Sequence, residues 1–387
     1  MTSQGLGRRT VGVEEELLLV DSASGRAMSM QGQVLAEVTE RWARAGETSP
    51  QQAGEQAADA FEGELNEEQI EVGSRPHEDL GELTEELLGW RRRAGLAARR
   101  MGARVAAVGL CPTEVTPRTV RSERYDRITE LYGITAEEQL TCGCHVHVSV
   151  ADRDEAVGVI DRIRGWLPVL TALSANSPFW QGRDTSYAAY RSPVMNRWPS
   201  AGPTDVFGSA EAYDRLVEDM VATGVLLDPG MVYFDARPSQ NYPTVEIRVA
   251  DVCLDVEDTA VVAALCRGLV ERAAAEYRAE TAPVPTPVTL LRLAGWRAAR
   301  DGMGGELLDP VTMRPRPAWD AVGTLLEHVR EPLRSAGDEE LVTAGLDRIR
   351  RDGTGADRQR RVHERTGTLE DVVADAVRVT EGRHEDG

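Results

Sequence analysis

The sequence predicts an α+β protein in which an antiparallel sheet shows one polar face and is backed by helices. Three observations carry this. Four short stretches, within "VGVEEELLLV", "NEEQIEVGS", "GCHVHVSV" and "PTVEIRVAD", alternate apolar and polar residues with the period of a strand. Long segments of helical periodicity separate them. No repeat or linker divides the chain. Strands spaced by helices also suit a parallel sheet, but half-polar alternation favours an antiparallel sheet with one open face.

Taken in order, a flexible lead (1–10) precedes a strand from Val11, and a helix is expected over 31–45. A strand ends "GELNEEQIEVGS". The next helix, 78–100, opens on the acidic "HEDLGELTEE" and closes on "RRRAGLAARR", which complements its dipole. "ARVAAVGLCP" reads as a buried strand, "SERYDRITELYG" as a helix, and 152–176 as one long helix with Asp152 as N-cap. Residues 177–209, rich in Pro, Trp and Arg, lack periodicity, and so long an irregular stretch in a compact domain is usually functional. A helix over 210–224, strands near 231–235 and 244–250 and a helix over 257–281 follow. The Pro-rich "TAPVPTPV" leads into a helical C-terminal part. A single unit is expected over 11–375, with a disordered tail over 376–387.

The 387 residues carry a formal net charge of −20, and 41% are apolar. So acidic a chain argues against nucleic acid and against an anionic membrane surface as partners. There is no apolar run long enough to span a membrane and no signal-like apolar core at the N-terminus. Five scattered cysteines suit reduced thiols and a cytoplasmic location. All 44 basic residues are arginine. Without lysine, Schiff-base chemistry and a Walker-type phosphate loop are excluded; phosphate would have to be met by arginine and metal ions.

The chemistry lies on the alternating faces. Val11, Val13, Leu17 and Leu19 share one side of the first strand, with Glu14 and Glu16 on the other. Gln69 and Glu71 stand opposite Ile70 and Val72. His145, His147 and Ser149 stand opposite Val146, Val148 and Val150, and Glu246 and Arg248 opposite Val245, Ile247 and Val249. In one sheet, these polar faces would make a surface of carboxylates, imidazole and arginine, a donor set for Mg²⁺ or Mn²⁺ with arginine as a bidentate phosphate donor. Cys142 and Cys144 lack the spacing of a zinc or redox motif and read as small packing residues.

These residues, in this order, resemble the carboxylate–amine ligase family, also known as type 2 glutamate–cysteine ligases. The resemblance is carried by "VGVEEELLLVD", "GELNEEQIEV", "GCHVHVSV", "NSPFWQGRDTSYAAYRSPVMNRWPSAGP", "TVEIRVADVCLDVED" and "GTGADRQRR". It implies a catalytic domain like that of glutamine synthetase, a curved antiparallel sheet with an active-site funnel on its concave face. It also implies ATP-dependent amide formation through an acyl phosphate, with Mg²⁺ or Mn²⁺, glutamate as the acid, cysteine as the amine and γ-glutamylcysteine as the product. Alternatives are a ligase for other acids and amines, and a phosphagen-kinase-like phosphotransferase. A homodimer is compatible with the family.

By the same resemblance, Glu14, Glu16, Glu64, Glu71 and Glu246 are expected metal ligands, with His145 on the metal or nucleotide. Glu64 has the wrong parity for one regular strand and needs a turn or bulge. Arg248 is expected on the γ-phosphate, and Arg191 on a substrate carboxylate, helped by Tyr187 and Arg237. Arg358, Gln359 and Arg360 are expected in a loop closing over the nucleotide. His147 is placed on the substrate side, with a metal or structural role left open.

Overall fold

The computed structural model describes residues 8–21, 23–44 and 60–382. Its strands are β1 (Val11–Asp21), β2 (Phe61–Gly63), β3 (Gln69–Gly73), β4 (Ala103–Ala106), β5 (Gly143–Ser149), β6 (Phe179–Trp180), β7 (Arg183–Asp184), β8 (Ala236–Pro238) and β9 (Thr244–Asp251). The short pair β6–β7 lies apart from the main sheet, as does a further pair, β10 (Glu306–Leu308) and β11 (Pro315–Pro317). The helices are α1 (Gln31–Arg44), α2 (Leu80–Arg100), α3 (Glu123–Tyr132), α4 (Ile134–Glu137), α5 (Arg153–Ile163), α6 (Leu167–Leu173), α7 (Arg191–Met195) and α8 (Ala210–Ala222). They continue as α9 (Val256–Arg278), α10 (Val288–Asp301), α11 (Ala318–Ala336), α12 (Glu339–Asp352), α13 (Gly355–Thr366) and α14 (Leu369–Thr380).

The main sheet runs β2-β3-β1-β5-β9-β8, with β4 on the far half of β1, and every pair is antiparallel. The four alternating stretches are thus neighbours. Their register sets Glu14 against His145, Glu16 against Glu71, and Glu246 against both His147 and Arg237. Directly opposed side chains in such a ladder lie about 4.5–5.5 Å apart at Cβ, so the register alone gathers the polar groups.

The other face is the core. Val13, Val146, Val148, Val245 and Ile247 pack with Leu83 and Leu87 of α2, Ile160 of α5 and Val262 and Leu265 of α9. Leu17, Leu19, Ile70 and Val72 pack with Ala94, Val105 and Ala376. One charge is buried among them. Glu15, on the apolar side of β1, accepts from Arg91 Nη2 and Nε at 2.6 and 2.7 Å and from Thr259 Oγ1 at 2.7 Å. Arg91 also donates to the carbonyls of Cys253 and Leu254 at 2.7 and 2.9 Å. This pair ties α2 and α9 to β1 and to the segment just after β9.

Several expected boundaries shift. The single helix over 152–176 is two, α5 and α6, broken around Gly165. Pro168 has no N–H to donate and so sits in the first turn of a new helix. Asp152 does cap α5, accepting from the Glu155 N–H at 2.8 Å. The strand expected at 231–235 forms later, at β8, because Pro229 opens a 3₁₀ turn there. Pro238 is tolerated in β8 because β8 is the sheet edge. The lead is not free at its end: Arg9 is buried and ion-paired to Glu155 and Glu271. Residues 1–7 lie outside the described residues. The tail boundary at 376 falls inside α14, whose Val372, Ala376 and Val379 are buried; residues 383–387 lie outside the described residues.

Candidate active site

The polar face of the sheet lines a funnel of about 330 Å³. Glu14 and Glu16 come from β1, Glu71 from β3, His145 and His147 from β5, and Glu246 and Arg248 from β9. Glu64 arrives from the turn between β2 and β3, which resolves its parity. Arg191 enters from α7, inside the aperiodic segment, and Arg237 from β8.

Two groups of donors converge. Ligand atoms of Glu14, His145 and Glu246 lie within 4.8 Å of one another, as do those of Glu16, Glu71 and His145. Their surroundings shift their protonation in opposite directions. Burial, reinforced by the charge of Glu64, pushes Glu16 up to about 7. Burial and the charges of Glu64 and Glu14 hold Glu71 well above the carboxylate range. On the other side, burial of Glu14 is outweighed by His145 and His147, which lower it. Burial of Glu246 is outweighed by Arg248 and Arg237, which bring it to about 2. Burial and Arg248 lower His145 to about 4, so the imidazole is neutral and able to ligate. Its Nε2 is buried without a hydrogen-bond partner, while Nδ1 lies 3.4 Å from Glu14 Oε2. Crowded carboxylates and an unsatisfied neutral imidazole fit divalent cations with oxygen-rich coordination.

His147 differs. Its Nδ1 meets Thr244 Oγ1 at 3.0 Å and its Nε2 lies 3.2 Å from Glu14 Oε1. Burial works against its charge, but Glu14 outweighs it and raises the imidazole. It thus flanks Glu14.

The arginines divide into two kinds. Arg237 grips Glu246 through Nε and Nη2 at 2.7 and 3.1 Å and the Val232 carbonyl at 2.9 Å, so it orients that carboxylate and has no free face for a substrate carboxylate. Arg248 touches Glu246 through Nη1 and faces the funnel. Arg191 is buried, forms no ion pair among the described residues, and has no hydrogen-bond partner at Nε. An unpaired buried guanidinium is costly unless a ligand completes it. Gly143 makes room for it: a Cβ there would stand 2.2 Å from Arg191 Nη2. The glycine of "GCHVH" therefore gives Arg191 its space, and its N–H donates to Glu16 Oε2 at 2.5 Å.

Four expected site residues lie elsewhere. Arg358, Gln359 and Arg360 belong to helix α13, not to a loop. Arg358 pairs with Asp375 at 2.7 Å, and Arg360 with Asp184 at 2.9 Å. Gln359 is buried against the Asn176 carbonyl and side chain at 2.9 and 2.7 Å. Tyr187 meets Tyr190 edge to face and accepts from Trp296 Nε1 at 3.1 Å, away from the funnel wall. Cys142 and Cys144 are buried thiols, both pushed up by burial, and neither joins a metal-type cluster among the described residues.

Sequence reading missed Asp251. It has the parity of the packing face, yet it accepts from Asn176 N–H at 2.8 Å and Ser177 Oγ at 2.7 Å. Ser177 Oγ in turn accepts from Arg191 N–H at 2.9 Å. Asp251 thus anchors the start of the segment that delivers Arg191. The signal available was a carboxylate closing a strand on its apolar side.

Comparison with known proteins agrees with this geometry. The family model described as glutamate-cysteine ligase family 2 matches residues 10–375. A Streptomyces coelicolor protein named "Putative glutamate--cysteine ligase 2" is 53% identical over 373 residues, 96% of this chain and 99% of that protein. One from Frankia alni, named "Putative glutamate--cysteine ligase 2-2", is 47% identical over 98% of each chain. The fold is similar to the crystal structure of glutamate–cysteine ligase from Francisella tularensis in complex with AMP, with a TM-score of 0.68 at 12% identity, covering 98% of this chain and 90% of that one. It is also similar to a bifunctional glutathione synthetase from Pasteurella multocida, with a TM-score of 0.66 at 14% identity, covering 97% of this chain and 52% of that one. With its carboxylate-lined funnel and a family match spanning nearly its whole length, this chain belongs to glutamate–cysteine ligase family 2.

Proposed function

We propose that the funnel joins a small carboxylic acid, with glutamate first in line, to an amine such as cysteine at the expense of ATP. One observation carries the reading. Two groups of carboxylates share His145 on one sheet face, beside an unpaired buried Arg191 and a funnel-facing Arg248.

Glu14, His145 and Glu246 would hold one Mg²⁺ or Mn²⁺, and Glu16 and Glu71, with His145 between the two groups, a second; Glu64 lines the funnel with them. Such cations neutralise charge on a transferring phosphoryl group. Arg191 binds and orients the acid's carboxylate. Arg248, fixed by Glu246, faces the γ-phosphoryl oxygens. Transfer forms a bond between the acid's oxygen and phosphorus and breaks the bond to ADP. The amine then forms the C–N bond, phosphate leaves with the C–O electron pair, and the ammonium's protons pass to phosphate and solvent. Catalysis here is positioning and electrostatics, which explains how a chain without lysine can perform it.

The test is release of ADP and phosphate over pairs of amino acids with Mg²⁺, with mass detection of the product. An amide formed only with both substrates is expected. ATP hydrolysis that no acid–amine pair stimulates would contradict the reading.

A further inference from the structure

Behind the funnel lies a second cavity of about 360 Å³, between α6, α7, α10 and the start of β8. The two share Arg191, Met195, Tyr233 and Arg248 as a common wall, so the second cavity adjoins the funnel at Arg248. Much of the rest is apolar, from Pro168, Pro193, Leu291 and Trp296.

Two charges break that apolar lining. Asp235 stands beside Arg248 across the β8–β9 edge, where its carbonyl accepts from the Arg248 N–H at 2.9 Å. Its carboxylate has no hydrogen bond or ion pair among the described residues, and burial, opposed by Arg292, pushes it up to about 7. Arg292, exposed at the cavity rim, also lines it and has no carboxylate partner among the described residues. Its Nη2 reaches the Ala201 carbonyl only at 3.5 Å. Opposite charges thus line one largely apolar cavity without meeting, the arrangement a zwitterion would complete.

We infer that this second cavity is the amine subsite and admits an α-amino acid, with Asp235 receiving its ammonium, Arg292 its carboxylate, and the apolar walls its side chain. The inference rests on the ligase reading for its role, since Asp235 would hold the amine next to Arg248, where the acyl phosphate forms. Residues selecting the amine are then distinct from Arg191, which holds the acid.

Trp296 lines the cavity and is half exposed, so its fluorescence reports occupancy whether or not turnover occurs. The full chain is titrated with the twenty standard amino acids, and the responders with their decarboxylated amines and deaminated acids. The expected result is a signal lost in Trp296→Phe and weakened about tenfold when either charged group is removed from the ligand. Arg292→Gln, a surface change that should fold normally, is expected to abolish the preference over the decarboxylated amine. Asp235→Asn is expected to abolish the preference over the deaminated acid. The absence of any Trp296-dependent signal, or unchanged selectivity in both variants, overturns the proposal. Amide formation without a Trp296 signal leaves the ligase reading standing and removes this subsite. A Trp296 signal without amide formation supports the subsite and removes the ligase reading.

Discussion

Cation binding to this funnel should expel protons, and the share from Glu16 can be worked out from the site. Glu16 sits at about 7 and Glu71 well above the usual range, because both are buried beside Glu64, and for Glu16 the charges of Arg191 and Arg248 only partly offset this. At pH 7 Glu16 is therefore about half protonated, and Glu71 is shifted in the same direction. A divalent cation favours the ionised forms of both, so its binding should release about half a proton from Glu16 at that pH, with any release from Glu71 adding to it. By pH 8 the share from Glu16 should fall to about a tenth of a proton. Because protons compete with the cation, affinity should rise with pH through this range. The measurement is titration calorimetry of the metal-free protein with Mn²⁺ in two buffers of different protonation enthalpy, where the slope of observed heat against buffer enthalpy gives the proton count. Glu16→Gln should lower the count by about half a proton at pH 7. Heats that do not depend on the buffer would refute the account of these two carboxylates.

Three further outcomes follow. Glu15→Ala strands the Arg91 charge in the core, and urea denaturation should show a loss of about 3–5 kcal/mol; a loss under 1 kcal/mol would mean the pair is not buried as described. Gly143→Ala drives a Cβ against Arg191 and should raise the KM for the acid by about tenfold or more while leaving ATP binding nearly unchanged; an unchanged KM contradicts the steric role of that glycine. Asp251 is lifted to about 6 by burial, partly countered by Arg191 and Ser177. A carboxyl raised on folding binds more protons in the native state, so its contribution to stability is present below its unfolded value of 3.8 and declines as pH rises from there to about 6. Denaturation against pH should show this decline, on the order of 1–3 kcal/mol, and Asp251→Asn should remove it.

Much of the site was legible because period-two alternation is local and the sheet keeps it. Glu14, Glu16, Glu71, His145, Glu246 and Arg248 all sit on the face their parity gives them. What periodicity cannot convey is what lies between elements. Glu15 has the right parity for the core, and only the approach of Arg91 from a helix 76 positions away makes it tolerable there. Arg358, Gln359 and Arg360 carry the residue types of an anion-binding loop, but Thr354 and Asp357 form a capping box that starts a helix and turns those side chains to protein partners. Arg237 looked like a substrate ligand because sequence cannot show that Glu246 already occupies it. Asp235 and Arg292, 57 residues apart, share no pattern in the chain and meet only through the cavity they line.

The central claim is that the funnel activates a carboxylate with ATP for attack by an amine. It is tested most directly by incubating the protein with Mg²⁺, ATP, glutamate labelled with ¹⁸O in its side-chain carboxylate, and cysteine. An acyl phosphate requires one labelled oxygen to leave with the phosphate, so ¹⁸O-phosphate should appear in step with the amide, and both should disappear in Glu14→Gln. An amide formed with unlabelled phosphate, or phosphate released without any amide, would contradict the account.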